Sequence, residues 1–165
     1  MPFNYYATIP NLPELQKRFQ EAPQITLIAV RDAVNKSLTN YQREAKLNVP
    51  VDTGRLRSSI LVNPATITEG GTLTKVSGSV GTSVSYAANV ELGTGIYGPN
   101  KAPILPKKKP YFTFKTKGGG WVRVKSIRGM RGRFYMRDAL ENNQATTNGY
   151  FDEAAETITR RLTEK

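Results

Sequence analysis

The sequence contains no cysteine and no histidine among its 165 residues. Without cysteine, the chain has no disulfide framework and no thiolate metal site. Without histidine, it lacks the commonest general base and the commonest transition-metal ligand. Ser–His–Asp catalysis, Cys–His catalysis and histidine–zinc chemistry are therefore excluded. We expect a protein that is not an enzyme and that carries no cofactor and no metal.

Long apolar runs and a basic, apolar leader are also lacking. Met1–Pro10 does not have the pattern of a signal peptide, so we expect no export by that route. No apolar stretch is long enough to cross a bilayer, and we expect no membrane partner. The hydrophobic fraction is 38%, which fits a small core in a subunit that gains stability by packing on its neighbours.

Positive charge is present in excess, and it is concentrated in one segment. Residues 101–137 hold 12 of the 24 basic residues and no acidic residue, while the net charge of the whole chain is +11. Such a segment attracts phosphate groups or an acidic protein surface, although a solvated loop is the simpler interpretation. The basic contact residues predicted from this pattern are Lys107, Lys108, Lys109, Lys115, Lys117, Arg123, Lys125, Arg128, Arg131 and Arg133.

Apolar residues recur at spacings of three and four over residues 24–47, which predicts a long amphipathic helix. Pro23 suits the first turn of this helix, and a separate short helix is predicted near residues 12–19. Asn48 and Pro50 end the long helix. Beyond them, Asp52 or Thr53 is expected to cap a short helical turn.

Two strand pairs follow. Residues 59–62 and 73–80 are predicted strands, and the first of them is expected to break at Asn63-Pro64. Residues 111–115 and 121–125 alternate large apolar with basic or polar side chains around a glycine-rich turn, which predicts a second hairpin. Its aromatic residues are expected to pack inward and its basic face to point outward. These aromatic residues are Tyr111, Phe112, Phe114 and Trp121.

The order of these elements predicts an α+β fold, with a long N-terminal amphipathic helix packed on a mainly antiparallel sheet. A basic β-hairpin and C-terminal helices, the last over residues 150–163, complete it. We expect a single domain over residues 1–165. Its parts are an N-terminal arm at 1–22, a basic loop and hairpin at 96–133, and a C-terminal helical segment at 142–165.

Three motifs stand in a fixed order along the chain. They are VPVDTGRLRSSI at Val49–Ile60, YAANVELGT at Tyr86–Thr94, and FYMRDAL at Phe134–Leu140 after the basic hairpin. This order resembles the head–tail joining, or tail-completion, neck proteins of tailed bacteriophages. That family usually has a proline before the phenylalanine of the third motif, where this chain has Arg133.

The resemblance implies a non-catalytic virion protein at the junction between the head connector and the tail. It implies a homo-oligomer, expected to be a hexameric ring, that is assembled in the host cytoplasm. Its expected protein partners are the tail terminator and the head-completion or connector proteins. Genomic DNA passes through the neck, so the basic segment is expected to contact either DNA, without sequence preference, or an acidic surface of a neighbouring ring.

The first two motifs supply the candidate interface residues, which are Asp52, Thr53, Gly54, Arg55, Glu91, Gly93 and Thr94. The segment Asp52–Arg55 is interpreted either as a partner contact or as a helix cap with a glycine turn. Glu91 is interpreted either as the partner of a basic residue on a neighbouring subunit or as half of an intrachain ion pair.

Two other functions compete with a neck protein. The basic hairpin is compatible with a sequence-independent nucleic-acid-binding module, in which its aromatic residues would stack on bases. A magnesium-dependent nuclease would need carboxylates such as Asp52, Glu91 and Asp138 to meet, and their spacing does not require it.

Overall fold

The computed structural model describes residues 12–70 and 73–163, and the side chains of residues 12–20, 69, 70 and 73 are not described. It is an α+β structure, as predicted, and its strands form two separate antiparallel hairpins. The elements in chain order are α1 (Leu12–Asn48), α2 (Arg55–Ser58), β1 (Ile60–Gly70), β2 (Leu73–Thr82), α3 (Ala87–Leu92), β3 (Phe112–Lys115), β4 (Trp121–Val124), α4 (Tyr135–Asn142) and α5 (Gln144–Thr163).

Helix α1 runs without interruption from Leu12 to Asn48, and Pro23 lies inside it. The prediction of two helices separated before Pro23 was therefore wrong, and the arm predicted at 1–22 is helical from Leu12. Proline removes only one backbone hydrogen bond, and the surrounding Gln, Glu, Lys, Arg and Ala residues favour the helix on both sides. Residues 1–11 lie outside the described residues. No helix within the described ranges is both long and apolar enough to span a membrane.

Strand β1 also continues where a break was expected, since it passes through Asn63 and Pro64 to Gly70. It pairs with β2 in a two-stranded sheet, so one of its edges does not need backbone donors for the ladder. A proline without an N–H group is tolerated at such an edge. The next residue, Ala65, donates its N–H to the Asn35 side chain of α1 at 2.8 Å.

The described residues fall into two compact units. The first unit contains those within residues 1–38, 64–79 and 145–165, and the second contains residues 39–63 and 80–144. The expectation of one domain over the whole chain is not tested by this division and stays a prediction.

The first unit has a thin interior. Among the residues whose side chains are described, its buried apolar residues are alanines: Ala33 on α1, Ala65 on β1 and Ala154 on α5. Lys36 donates to the Glu153 carboxylate at 2.7 Å, and this pair joins α1 to α5 at the surface. Because both side chains are more than half exposed, the ion pair contributes little to stability. Small buried residues and surface pairs therefore hold this unit.

The second unit contains the main hydrophobic core. Tyr135 and Ile60 are its largest fully enclosed side chains, at 1% and 0% exposure. Other members of the core are Ala45, Val49, Leu56, Ala87 and Ala139, with Tyr41, Val80, Val84, Val90 and Met136 packed around them. Fully burying one large apolar side chain contributes about 1.5–3 kcal/mol, so this cluster is the main source of stability in the unit.

Two buried asparagines fix the junction between α4 and α5. The Asn40 side chain donates to the Asn143 side chain, which in turn donates to the Ala139 carbonyl at 2.7 Å. Buried amide groups need such partners because an unpaired one costs about 1–3 kcal/mol. The predicted break at Asn142-Asn143 is confirmed, although α5 already begins at Gln144 and not near residue 150.

Candidate functional site

The three sequence motifs meet in the core of the second unit. The first motif contributes Leu56 and Ile60, the second contributes Ala87, and the third contributes Tyr135 and Ala139. Segments that are up to about eighty residues apart in the chain thus enclose one another's apolar side chains. The spacing that marks the motifs is therefore, in large part, the pattern of residues needed to pack this core.

Glu91 joins the second motif to the third. Its carboxylate oxygens accept the backbone N–H groups of Met136 at 2.9 Å and Arg137 at 3.0 Å, in the first turn of α4. The residue at the start of that helix, Phe134, has φ 49° and provides no side-chain cap. A carboxylate at a helix N-terminus satisfies unpaired N–H groups and interacts favourably with the helix dipole. Glu91 thus caps α4 from another element, a role that neither interpretation of Glu91 from the sequence included.

The C-terminal end of the second motif is hydrogen-bonded to the basic loop that follows β4. Thr94 donates its N–H to the Met130 carbonyl at 2.8 Å, and Met130 donates its N–H to the Thr94 hydroxyl at 3.0 Å. Ile96 donates to the Arg128 carbonyl at 2.8 Å. Thr94, predicted as an interface residue, is therefore occupied by bonds within its own chain.

Two glycines make this close approach between backbones feasible. A Cβ at Gly95 would lie 2.1 Å from the Arg128 carbonyl oxygen, and a Cβ at Gly129 would lie 2.1 Å from the Thr94 carbonyl oxygen. Both residues also have positive φ, at 63° and 93°. Glycine is the only residue that meets both conditions without strain. The sequence showed these glycines, but it did not show that they face each other.

Arg133 stands where the resembled family usually has proline. Its backbone N–H donates to the Val90 carbonyl at 2.8 Å, and the next N–H, of Phe134, donates to the Glu91 carbonyl at 3.1 Å. A proline at residue 133 could not make the first of these bonds because it has no N–H. The departure from the family pattern therefore adds a backbone bond between the second and third motifs.

The first motif leaves its polar residues beside a groove. Asp52, Thr53 and Arg55 are exposed at the rim of a groove of about 250 Å³, which Tyr86 and Val90 of the second-motif region also line. The predicted capping by Asp52 or Thr53 was wrong: Gly54, with φ 79°, is the N-cap of α2, and no side chain caps that helix. Positive φ at Gly54 turns the chain into α2, and glycine has no side chain with which to cap that helix.

The carboxylates considered for magnesium binding do not come together. Glu91 is engaged by backbone N–H groups, and Asp138 accepts from the Arg137 guanidinium at 3.0 Å. No group of three or more metal-binding side chains occurs among the described residues.

The cationic side chains of the basic segment are exposed. All ten of its predicted contact residues have exposed side chains, and within the described part of the chain none of the ten pairs with a carboxylate. Two of them stack on tyrosines: Arg123 lies 4.8 Å from the Tyr111 ring centre, and Arg131 lies 5.4 Å from that of Tyr97. Among the described residues, the positive charge of these ten side chains is therefore not compensated by ion pairs.

The register of the β3–β4 hairpin separates its side chains into two faces. Phe112 pairs with Val124 and Phe114 with Val122, whereas Thr113 pairs with Arg123 and Lys115 with Trp121. Because cross-strand partners share a face and neighbours alternate, Trp121 lies on the opposite face from Phe114. We name the second set, together with Tyr111 and Lys125 just beyond the strand ends, the basic–aromatic face; its residues are Tyr111, Thr113, Lys115, Trp121, Arg123 and Lys125.

The prediction that the hairpin aromatics pack inward was wrong for two of the four. Trp121 is 72% exposed and Phe114 is 44% exposed, while Tyr111 and Phe112 are half-buried. Alternation along a strand fixes which residues share a face, but it does not reveal which face is covered. In this two-stranded sheet, the described residues do not bury either face completely.

Two tyrosines close to Glu91 have shifted pKa values. Burial raises the pKa of Tyr41 above its usual value of 10.0, and the negative charge of Glu91 adds to the rise. Burial likewise raises the pKa of Tyr135, with smaller contributions from Glu91 and Tyr41. The Tyr41 hydroxyl donates to the Met136 carbonyl at 2.9 Å, so its neutral form supports the same helix start that Glu91 caps.

Comparison with known proteins agrees with the motifs. Residues 13–93 match the model of the HK97-gp10-like family, described as "Bacteriophage HK97-gp10, putative tail-component". The match covers nearly half of the chain, from the start of α1 through the first two motifs, and the basic hairpin and third motif lie beyond it. No curated protein and no solved structure matches the chain.

The predicted resemblance to a structural family of tailed bacteriophages is thereby confirmed. The match supports a structural role in a phage tail or neck. Over residues 13–93, the chain is similar to the HK97-gp10-like family of tail components.

Proposed function

We propose that this protein completes the phage tail and joins it to the head connector, as a ring of identical subunits around the DNA channel. The observation that carries the proposal is the family match over residues 13–93, in a chain whose three ordered motifs close on one core. The proposed site is the neck of the virion, with assembly in the host cytoplasm. The role is structural and not enzymatic.

The proposed ring contacts are apolar residues on the segments that build the core. Large side chains on these segments remain exposed, although each lies within two residues of a buried residue. They are Leu47, Val51, Leu61, Leu92 and Leu140. Covering them with a second copy of the chain would remove apolar surface from water, and different patches meeting head to tail would close a ring. Six subunits are expected from the resemblance.

The polar residues at the rim of the groove beside the first motif belong to the same proposed interface. Asp52 and Arg55 are exposed and lie within one turn of each other, at a groove that also has an apolar lining. Charges around an apolar contact favour one orientation of the partners more than they add to affinity. We place the tail terminator and the head-completion or connector proteins on the two outer faces of the ring.

The first experiment is electron microscopy of particles assembled without this protein. Filled heads are expected beside full-length tails that are not attached to them, because a tail-completion protein acts after the head and the tail have been built. Supplying the wild-type protein to such an extract should restore joined particles. Joined, infectious particles in its absence would refute the neck role.

The second experiment tests the ring contacts. A Leu61→Lys, Leu140→Lys variant places two charges on the proposed interface, and a Gln24→Lys, Thr74→Lys variant adds the same charge at other exposed positions. Native mass spectrometry and the joining extract should show loss of the ring and of joining for the first variant only. Normal rings from the leucine variant, with an unchanged melting temperature, would contradict the proposed surface.

A further inference from the structure

The basic–aromatic face of the β3–β4 hairpin presents exposed cations on two paired strands and just beyond them. Lys115 and Arg123 are on the paired strands, and Lys125 directly follows the end of β4. Residues on one face of a strand recur about every 6.6 Å. No carboxylate pairs with any of these three within the described residues.

A neighbouring groove extends the positive surface. It has a volume of about 580 Å³ and contains Lys107, Lys108 and Lys109 at one side, with Tyr111 and Thr113 of the basic–aromatic face at the other. All three lysines are exposed. The groove and the hairpin face thus share two residues, and together they offer six cations to one ligand.

We propose that this surface binds duplex DNA through its phosphates, without sequence preference. Closely spaced phosphates are the ligand that matches many cations and no acid, because each contact releases a condensed counterion from the DNA. This binding would follow from the hairpin surface alone and does not depend on the neck role proposed above.

An acidic protein surface fits these observations less well. Protein interfaces are depleted of lysine at their centres and combine residues of both charges, whereas residues 101–137 contain no acidic residue at all. The hairpin turn also has Gly118 and Gly119, at which an added Cβ would meet nothing within 4 Å, so the backbone of the turn is open to an approaching ligand.

A single strand of DNA fits less well than a duplex. Proteins that hold single strands stack successive bases on several exposed aromatic rings. Here the Tyr111 ring is covered by Arg123 at 4.8 Å, so Trp121 is the one ring of the basic–aromatic face that remains open. Cations outnumber available rings on this face, and phosphate contact is the mode that such a surface supports.

Trp121 is the only tryptophan in the chain and therefore reports on binding directly. The full-length protein would be titrated with a mixed-sequence 30-base-pair duplex while Trp121 emission and DNA anisotropy are followed at several salt concentrations. We expect a change in Trp121 emission that parallels the anisotropy, and an affinity that falls steeply as salt rises.

A charge-matched pair of variants locates the site. The hairpin variant carries Lys115→Ala, Arg123→Ala and Lys125→Ala, and the control carries Arg57→Ala, Lys75→Ala and Arg161→Ala, which removes three exposed cations elsewhere. The hairpin variant should bind at least about tenfold more weakly, and the slope of log affinity against log salt should fall by about three. The control should keep the wild-type slope.

Three results would overturn the proposal. The first is equal weakening by both triple variants while both keep the wild-type melting temperature, which would mean that only total charge matters. The second is tighter binding to a single strand of the same sequence, with strong quenching of Trp121, which would indicate base stacking. The third is equal affinity for polyglutamate of matched charge, which would favour an acidic protein partner. None of these results would bear on the joining experiment, because that experiment measures particles and not DNA binding.

Discussion

The motif core and the β3–β4 hairpin, both in the second unit, use large side chains in opposite ways. In the core, Tyr135 and Ile60 are almost completely enclosed, whereas Trp121 on the hairpin is 72% exposed. Burying a side chain of this size contributes about 1.5–3 kcal/mol, and the hairpin gives up that contribution. The residues that define the motifs therefore mainly stabilise the fold, while the hairpin keeps its residues available for contacts with other molecules.

The largest effect on stability is expected where two backbone segments approach each other closely beside the core. Replacing Gly129 with alanine places a Cβ 2.1 Å from the Thr94 carbonyl oxygen and imposes a positive φ on a residue that resists it. Removing this clash requires breaking the hydrogen bonds between Thr94 and Met130. We expect a loss of at least about 4 kcal/mol in the free energy of unfolding, measured by chemical denaturation.

Gly118 provides the matched control, because it lies in the hairpin turn with open space around it and its φ is not positive. Gly118→Ala should change the free energy of unfolding by less than about 0.5 kcal/mol. Equal effects of the two substitutions would show that the close backbone contact at Gly129 does not constrain the fold.

The second prediction compares the motif core with the β3–β4 hairpin by replacing one aromatic residue in each. Tyr135→Ala should lower the free energy of unfolding by about 3–5 kcal/mol, since it leaves a cavity in the core. Trp121→Ala should cost less than about 1 kcal/mol, because the ring is largely in water already. The measurement is urea denaturation followed by circular dichroism, which does not depend on the tryptophan. A costly Trp121→Ala would mean that the hairpin is held by contacts of that ring.

A third, smaller effect concerns the cap on α4. Glu91→Gln retains one oxygen acceptor but loses the second acceptor and the charge at the helix N-terminus, so we expect a loss of about 1–2 kcal/mol. Glu141→Gln is the control: that carboxylate is exposed and lies 3.7 Å from Arg137, and its loss should cost less than about 0.5 kcal/mol. The melting temperatures of the Glu91→Gln and Glu141→Gln variants would be compared at neutral pH. Equal melting temperatures would argue against the cap.

The smallest effect is expected at alkaline pH. The pKa of Tyr41 is raised in the folded state, so the folded protein holds its proton more strongly than the unfolded chain. This contribution to stability is complete below pH 10 and is lost as the pH rises through the folded-state pKa. The decline above pH 10 should be shallower for Tyr41→Phe than for wild type in parallel denaturation series. It should also be shallower for Glu91→Gln, because Glu91 contributes to the shift; identical curves would contradict this coupling.

Much of the fold was readable from local patterns. The end of α1 at Asn48, the strand 73–80 and the hairpin at 111–125 all follow from spacing and breaker residues close to each element. The ordered motifs also indicated a resemblance to phage structural proteins, and the family match covers the first two of them. These features are local because helix and strand periods and proline effects act within a few residues.

Tertiary structure decided the contacts between distant residues. The sequence placed Glu91 in a motif, but its partners lie 45 and 46 residues away in α4. Similarly, Gly95 and Gly129 appear as ordinary turn glycines until the fold brings their backbones together. It was also the fold that left Trp121 exposed, since alternation assigns residues to a face but only the surrounding elements determine whether that face is covered.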